Sequence, residues 1–251
     1  MEIVTVSYIF FVIFFAGILQ ALTGFGFALL AAPLLTIATS SKEAVALVLF
    51  IGVLMKGFMV CKTWNDGQFS RIMIIFTASI VGAIPGALLI RVIDDHVLKI
   101  FIGIILLIAT LMMSSDIKIT VYHHRLVKTV VGFLSGFLGA TTSLNGPPVV
   151  LYMMNEGSDK SAIRADLVRY FFLGNTATLG MSYYIGSLPT NHLSLYGLVS
   201  IPAILLSWKL GEKIFQSVNA ARFRRLSIAV ITISAVVTLT SGFYPFLSAL
   251  F

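Results

Sequence analysis

Charged residues are scarce in this chain of 251 residues: only 11% are Asp, Glu, Lys or Arg, while 58% are hydrophobic. A soluble domain carries about 25% charged residues, so a soluble protein is excluded. The mean hydropathy of +1.01 agrees with this exclusion. Residues 3–41 contain no charged residue at all, although a single helix needs only ~20 residues to cross a bilayer. The composition therefore predicts an all-α polytopic membrane protein.

Cysteine and histidine are also rare, with one Cys (Cys61) and four His. A single cysteine excludes an intrachain disulfide framework. The chain has no His-x-x-x-His pair and no Gly-x-Ser-x-Gly motif, so the usual signatures of metalloproteases and serine hydrolases are missing. We therefore expect no enzyme, no metal and no cofactor. The net charge of +7 requires no nucleic acid, because cytoplasmic loops of membrane proteins are enriched in Lys and Arg.

Apolar segments alternate with short polar connections along the whole chain. The most polar connection, 116–128, is the predicted linker between a first membrane repeat (1–115) and a second one (129–251). The N-terminus has no basic region before its apolar run and is interpreted as a mature segment and not a signal peptide. The predicted segments are near 4–22, 26–39, 44–60, 72–93 and 97–115, and then near 129–141, 144–155, 161–185, 193–208 and 223–242.

Glycines and prolines indicate that the second half repeats the first. Three ungapped matches share an offset of 115 residues, which favours an internal duplication. The matched pairs are Gly17 with Gly132, Gly24 with Gly139, and Pro33 with Pro148, and Pro85 lies 117 residues before Pro202. Each repeat holds a broken-helix pair and three further helices. Because five segments is an odd number, consecutive repeats insert in opposite orientations.

The basic residues test how the broken pairs cross the membrane. If each pair enters and returns to its starting side, twelve of the 17 Lys and Arg residues lie on one face and three on the other, with Lys56 and Arg169 inside segments. If each pair crosses once, the split is ten to five. The positive-inside rule favours the first arrangement, which makes the halves inverted repeats with both termini outside the cytoplasm.

Two apolar runs are interrupted by small and polar residues, at 20–26 and within 132–151. Backbone that leaves a helix inside hydrocarbon must be shielded by protein or must line a wet cavity. Paired broken helices in inverted repeats are typical of secondary transporters, whose substrates bind near the bilayer midplane. A membrane-embedded scaffold subunit would explain the hydrophobicity but not the paired breaks.

Three runs resemble the sulfite exporter TauE/SafE family: GFGFALLAAPLL, GFLSGFLGATTSLNGPPVVLYM and LVRYFFLGN. The resemblance covers nearly the whole chain. It implies a multi-pass inner-membrane transporter of sulfur-containing anions such as sulfite, thiosulfate or organosulfonates. It leaves open which anion is carried, in which direction and with which coupling ion. A different small organic anion and a homo-oligomeric state also stay open.

The breaks predict an anion site, because a helix N-terminus presents unpaired N–H groups and a positive dipole end. Asn145 is a preferred N-cap type, and Pro147 is tolerated in a first helical turn. For Gly24, Gly132, Gly136 and Gly139, close helix packing through small residues is the alternative reading. The predicted substrate-binding residues are Thr23, Gly24, Gly26, Gly139, Thr141, Thr142, Ser143, Asn145, Gly146, Pro147, Arg169 and Asn175.

Charged residues inside segments receive separate predictions. Arg169 lies about 13 Å along its helix from Lys160, near the midplane of a ~30 Å core, and a charge at that depth is a functional-site hypothesis. Asp166, three residues earlier on the same helical face, could instead neutralise it. Lys56 is close to the end of its segment and is predicted to extend to the membrane surface. His124, in the polar linker, is predicted to be solvated.

Overall fold

The computed structural model describes residues 2–63, 67–114, 124–155, 160–189, 193–217 and 220–248. Within these ranges every regular element is an α-helix, which confirms the predicted fold class. The helices are α1 (Glu2–Thr23), α2 (Phe27–Ala38), α3 (Ser41–Lys62), α4 (Phe69–Val92), α5 (Asp95–Ser114), α6 (His124–Thr142), α7 (Gly146–Asn155), α8 (Lys160–Ile185), α9 (Leu193–Ser217) and α10 (Ala220–Ser248).

Each of the ten predicted segments corresponds to one of these helices, and the main differences are at helix ends. Helix α6 begins at His124, so the last five residues of the predicted linker are helical and His124 does not lie in a loop. Residues 115–123, which hold the rest of that linker, lie outside the described part of the chain. Helix α9 continues to Ser217, beyond the predicted end near 208. These helices thus continue through polar residues beyond the apolar runs from which their ends were predicted.

Among the residues that the structure describes, five helices are long and apolar enough to cross a membrane: Val4–Thr23, Ser41–Lys62, Phe69–Val92, Asp95–Met112 and Leu193–Ile214. Large apolar side chains such as Val92, Leu111 and Leu198 are exposed on their outer faces, as expected for surfaces in contact with lipid. Helix α3 is the most enclosed of the five, with 67% of its span buried, against 28% for α9. Helix α3 therefore forms the centre of the bundle.

The α1–α2 pair forms a helical hairpin, which we call the first hairpin. The Tyr8 hydroxyl, near the start of α1, donates to the carbonyl of Leu34, near the end of α2, at 2.9 Å. Directly after this pair, the N–H of Ser41 donates to the Asp95 carboxylate at 2.6 Å. The open end of the first hairpin therefore lies beside the α4–α5 connection.

The α6–α7 pair forms the second hairpin. His124 Nδ1, at the start of α6, lies 3.4 Å from the Tyr152 hydroxyl near the end of α7, and Lys128 Nζ lies 5.6 Å from the centre of the Tyr152 ring. Lys128 also donates to the carbonyl of Arg71, at the start of α4, at 3.4 Å. Because α4 runs from this end of the bundle to the α4–α5 connection, the two hairpins open at opposite ends. Each pair thus returns to the end from which it starts, which is the arrangement favoured by the basic residues.

The two breaks match each other at an offset of 119 residues and not 115. Gly24 and Ser143 both have positive φ, of 82° and 61°. The N–H of each donates to the carbonyl four residues earlier, on Gln20 and Gly139 respectively. The alignment of Gly24 with Gly139 is therefore wrong by about one helical turn at the breaks. Glycine is frequent in membrane helices, so a match between two glycines is a weak guide to register.

Side-chain hydrogen bonds support the same offset. Thr23 donates to the carbonyl of Leu19, and Thr142 to that of Leu138, both at 2.8 Å. Helices α3 and α8 begin at Ser41 and Lys160, again 119 residues apart. This register pairs α1, α2 and α3 with α6, α7 and α8.

The orientation of the hairpins can be tested by cysteine labelling. Cys61 is the only cysteine, so a Cys61→Ser background allows single cysteines at Ser40 and Arg125, two exposed residues at opposite open ends. We expect Arg125→Cys to react with a membrane-impermeant maleimide only from the cytoplasmic side, and Ser40→Cys only from the outside, as the positive-inside rule requires. Labelling of both from one side would disprove the opposed hairpins.

Candidate functional site

Gln20 holds the first break together. Its side chain is fully buried; Nε2 donates to the carbonyl of Gly24 at 2.6 Å, and Oε1 accepts from the N–H of Phe27 at 3.1 Å. Thr23 Oγ1 accepts from the N–H of Gly26 at 2.9 Å. These bonds satisfy backbone groups that the interrupted helix leaves without partners. Gln20 was absent from the predicted site, although an amide in a charge-free run was a usable signal.

A second set of hydrogen bonds secures the other break and connects it to α8. Ser135 donates to the carbonyl of Asn145 at 2.5 Å, and Tyr170 of α8 donates to Ser135 Oγ at 2.7 Å. Thr142 Oγ1 accepts from the N–H of Leu144 at 3.3 Å. Since Ser135 and Tyr170 are both fully buried, these linked hydrogen bonds fix the tip of the second hairpin against α8.

The structure brings two predicted site residues, Asn145 and Asn175, into direct contact. Asn145 immediately precedes α7, and its Nδ2 donates to Oδ1 of Asn175 on α8 at 2.8 Å. Both side chains are buried. Buried polar groups within a membrane protein require a partner and often mark a substrate pathway.

The tips of the two hairpins meet beside this amide pair. A Cβ added to Gly146, the first residue of α7, would lie 3.9 Å from the carbonyl oxygen of Phe25, in the connection before α2. It would lie 3.7 Å from the Phe171 ring. The N-terminal ends of the two short helices therefore converge inside the bundle, and both positive dipole ends contribute to the potential there.

Lys56 also reaches this region, and the prediction that it extends to the membrane surface is wrong. Lys56 is only 3% exposed, and its Nζ lies 5.8 Å from the centre of the Phe27 ring and 5.5 Å from that of Phe171. Helical side chains lean towards the N-terminus of their helix. The ammonium therefore points to Gly52, in the middle of the 22-residue helix α3.

Gly52 faces the Lys56 ammonium, the Asn175 amide and the Phe27 ring. A Cβ at Gly52 would stand 3.1 Å from Lys56 Nζ, 2.8 Å from Asn175 Nδ2 and 4.0 Å from the Phe27 ring. We call Lys56, Asn145, Asn175, Phe27 and Phe171 the central cluster. It combines one ammonium and two amides with two aromatic rings at the converging helix N-termini, a set that suits a small anion.

The hydroxyl groups of Thr141, Thr142 and Ser143 have local partners. Thr141 donates to the carbonyl of Phe137 at 2.9 Å, and Ser143 to that of Thr142 at 2.5 Å. Thr142 bonds within its own helix in the same way as Thr23. In this conformation these hydroxyls shape the breaks, and their role as anion ligands stays a prediction.

The remaining predicted residues lie around the breaks. A Cβ at Gly139 would stand 3.1 Å from Cβ of Asn145, so Gly139 packs directly behind that side chain. A Cβ at Gly24 would stand 3.2 Å from Cγ of Arg164, so Gly24 packs against that side chain. Gly26 is the N-cap of α2, and Pro147 is the second residue of α7, where a proline was expected to be tolerated.

Arg169 has its contacts towards the α3–α4 connection. Its Nη1 lies 3.9 Å from Oδ1 of Asp166, and a Cβ at Gly67 would stand 2.8 Å from that same nitrogen. The Asp166 carboxylate also accepts from the N–H of Gln68 at 2.6 Å and lies 3.5 Å from Arg71 Nη1. This geometry favours the reading in which Asp166 neutralises Arg169, and Arg169 as an anion ligand stays a prediction.

Comparisons with known proteins agree with this architecture. The chain is 27% identical over 236 residues to a protein of Methanocaldococcus jannaschii described as a probable membrane transporter, covering 84% of this chain and 86% of that protein. No solved structure matches the chain. The profile of the sulfite exporter TauE/SafE family matches residues 9–238, which is most of the sequence. The chain is therefore a multi-pass membrane protein that belongs to the sulfite exporter TauE/SafE family.

Proposed function

We propose that this protein is a secondary transporter of small sulfur-containing anions such as sulfite, thiosulfate or organosulfonates. The observation that carries the proposal is the convergence of two helix N-termini on a buried ammonium and two buried amides. Helix N-termini are ready anion sites, and secondary transporters bind substrates between broken helices in this way. Family membership supports the substrate class.

The side chains carry more of the recognition than the α7 backbone does. Pro147 and Pro148 occupy the second and third positions of α7, and proline has no N–H to donate. At the start of α2, the N–H of Phe27 is already bound to Gln20. The helix ends therefore supply mainly positive potential, while directed hydrogen bonds come from the central cluster.

The opposed hairpins support transport by alternating access. We infer that residues 1–115 and 129–251 form inverted repeats, and that rocking of one repeat against the other opens the central cluster to each membrane face in turn. The inner membrane is the proposed location, with the α3–α4 end in the cytoplasm as the basic residues favour.

Flux measurements test the proposal directly. Purified protein reconstituted into liposomes is expected to move radiolabelled sulfite, thiosulfate or taurine down an imposed gradient, and protein-free liposomes are not. Failure of all three anions, in protein shown to be folded and inserted, would refute the sulfur-anion proposal.

The variant Asn145→Leu is expected to lower transport while leaving the protein inserted, because leucine suits the apolar surroundings but cannot hold the Asn175 amide. Without Asn145, the Asn175 amide is no longer held in place to donate to the anion. Loss of one hydrogen bond to a charged group costs about 1.5–3 kcal/mol, so we expect the apparent affinity to fall by about tenfold or more. Initial uptake rates across a range of anion concentrations measure this effect.

Thr176→Val is the matched control for Asn145→Leu. Thr176 is adjacent to Asn175 but is exposed, and its hydroxyl donates to the carbonyl of Phe172 in its own helix. This variant is expected to keep wild-type kinetics. Wild-type kinetics for Asn145→Leu as well would show that Asn145 only shapes the break.

A further inference from the structure

The ammonium of Lys56 is buried, with only 3% of the residue exposed. Among the residues that the structure describes, it forms no ion pair and no hydrogen bond, and its contacts are with the Phe27 and Phe171 rings. Ring faces attract a cation, but they offer no strong acceptor for the three N–H donors of a lysine. Burial of a charge is costly unless it is paired, so an anion bound beside Lys56 would offset that cost.

A second donor faces the same point as Lys56. Both Lys56 Nζ and Asn175 Nδ2 lie within 3.1 Å of the position that a Cβ on Gly52 would occupy. Two donors that converge in this way are satisfied together by one acceptor, and an oxyanion oxygen is such an acceptor. Because Gly52 has no side chain, no Cβ stands between the two donors.

Asn145 fixes the direction in which Asn175 donates. Asn145 Nδ2 donates to Oδ1 of Asn175 at 2.8 Å. The other end of the Asn175 amide, Nδ2, therefore faces Gly52 and Lys56. Asn145 therefore acts as a positioning residue for Asn175. The tip of the second hairpin thereby controls the direction of a donor on α8.

The register of 119 residues places Lys56 and Asn175 at equivalent positions, one on α3 and one on α8. The two halves thus contribute different groups at the same place, an ammonium from the first and an amide from the second. A single lysine supplies the full charge at this pair of positions, so its removal cannot be compensated by the other half.

We propose that Lys56 is the cationic ligand of the transported anion, with one anion oxygen in front of Gly52 between Lys56 Nζ and Asn175 Nδ2. The inference rests on the proposed function, since it assigns the charge that binds the sulfur anion. It differs from the sequence hypothesis, in which Arg169 supplied this charge.

Two variants and two controls test the assignment. Lys56→Met keeps a long apolar side chain between the rings but removes the charge. Gly52→Ala keeps the charge but places a methyl group between the two donors, where it would stand 2.8 Å from Asn175 Nδ2 and 3.1 Å from Lys56 Nζ and would crowd the bound anion oxygen. Lys62→Met, exposed on the same helix, controls for loss of a lysine, and Gly180→Ala, where a Cβ meets nothing within 4 Å, controls for the added methyl group.

Binding of sulfite and methanesulfonate to detergent-purified protein, measured by titration calorimetry, and flux in liposomes provide the readouts. We expect Lys56→Met and Gly52→Ala each to weaken binding by about ten- to a hundredfold, in line with loss of a charged hydrogen bond, and both controls to match wild type. Lys56→Arg is expected to restore part of the affinity lost in Lys56→Met.

Each contrary outcome has its own meaning. Wild-type protein that neither binds nor moves any sulfur anion overturns the proposed function and this inference with it. Transport by wild type and equally by Lys56→Met overturns the inference alone. Loss in Lys56→Met but not in Gly52→Ala also overturns the inference as stated, because the anion oxygen then does not bind in front of Gly52. If Lys56→Met does not fold, Gly52→Ala still decides, since unchanged binding there overturns the inference.

Discussion

The variant Gly136→Leu is expected to yield almost no folded protein. A Cβ at Gly136 would stand only 1.9 Å from the carbonyl oxygen of Ser79 on α4, and a backbone atom cannot move aside as the end of a side chain can. Overpacking at a single site costs about 1–3 kcal/mol and occasionally more. A leucine here would have to force two whole helices apart, so we expect a cost above that range. Size-exclusion chromatography of detergent extracts measures the folded yield.

The whole α4–α6 interface is packed backbone against backbone. Four glycines let the two backbones touch, as small residues do between membrane helices. The distances from the added Cβ to the facing carbonyl oxygen are 2.0 Å for Gly82, 2.6 Å for Gly86, 2.3 Å for Gly132 and 1.9 Å for Gly136. Gly180→Leu, at a position open to its surroundings, is the matched control and is expected to fold normally. A Gly136→Leu protein that elutes like wild type would contradict the contact between α4 and α6.

The sequence was sufficient to predict the helices, because long apolar runs and polar connections are set by the bilayer itself. It was insufficient to predict the register between the halves. Gly24 and Gly139 share a residue type but serve different roles, since Gly24 has positive φ whereas that conformation falls on Ser143 in the second half. The breaks at Gly24 and Ser143 are equivalent in their backbone hydrogen bonds, and residue types alone do not reveal those bonds.

The site was predictable in part for a similar reason. Asn145 and Asn175 stood out because amides in an apolar run need partners, and they do bond to each other. Lys56 was missed because its depth was estimated from its Cα alone. A helical side chain leans towards the N-terminus, so a lysine near the C-terminal end of α3 reaches back to the middle of the bundle. Gly52, one turn earlier, was the usable signal, since it leaves room for the ammonium.

The same rule corrects the depth estimated for Arg169. Its Cα lies nine residues into α8, but its side chain leans back to Asp166 and Gly67. The guanidinium therefore lies nearer to the α3–α4 connection than its position in the sequence suggests. The positions of the Lys56 and Arg169 charges were predicted from the depth of their Cα atoms. For both residues, the direction of the side chain decides where the charge lies.

Asp166→Asn is expected to destabilise the protein by about 3–5 kcal/mol, the usual cost of removing one partner of a buried ion pair. The Asp166 side chain is 2% exposed and lies between Arg71 and Arg169. Asparagine can still accept the hydrogen bond from Gln68, so the change isolates the charge. Most of the effect is expected from Arg169, whose side chain is 9% exposed, because Arg71 is 30% exposed and better hydrated.

The double variant Asp166→Asn/Arg169→Gln distinguishes a structural pair from an anion ligand. If the pair only fastens the α3–α4 connection to α8, the double variant is expected to regain most of the thermal stability lost in Asp166→Asn and to transport normally. Asp94→Asn removes a charge from an exposed carboxylate and is expected to stay within about 0.5 kcal/mol of wild type. A double variant that is stable but transports nothing would support Arg169 as an anion ligand, because misfolding could not explain the loss of transport.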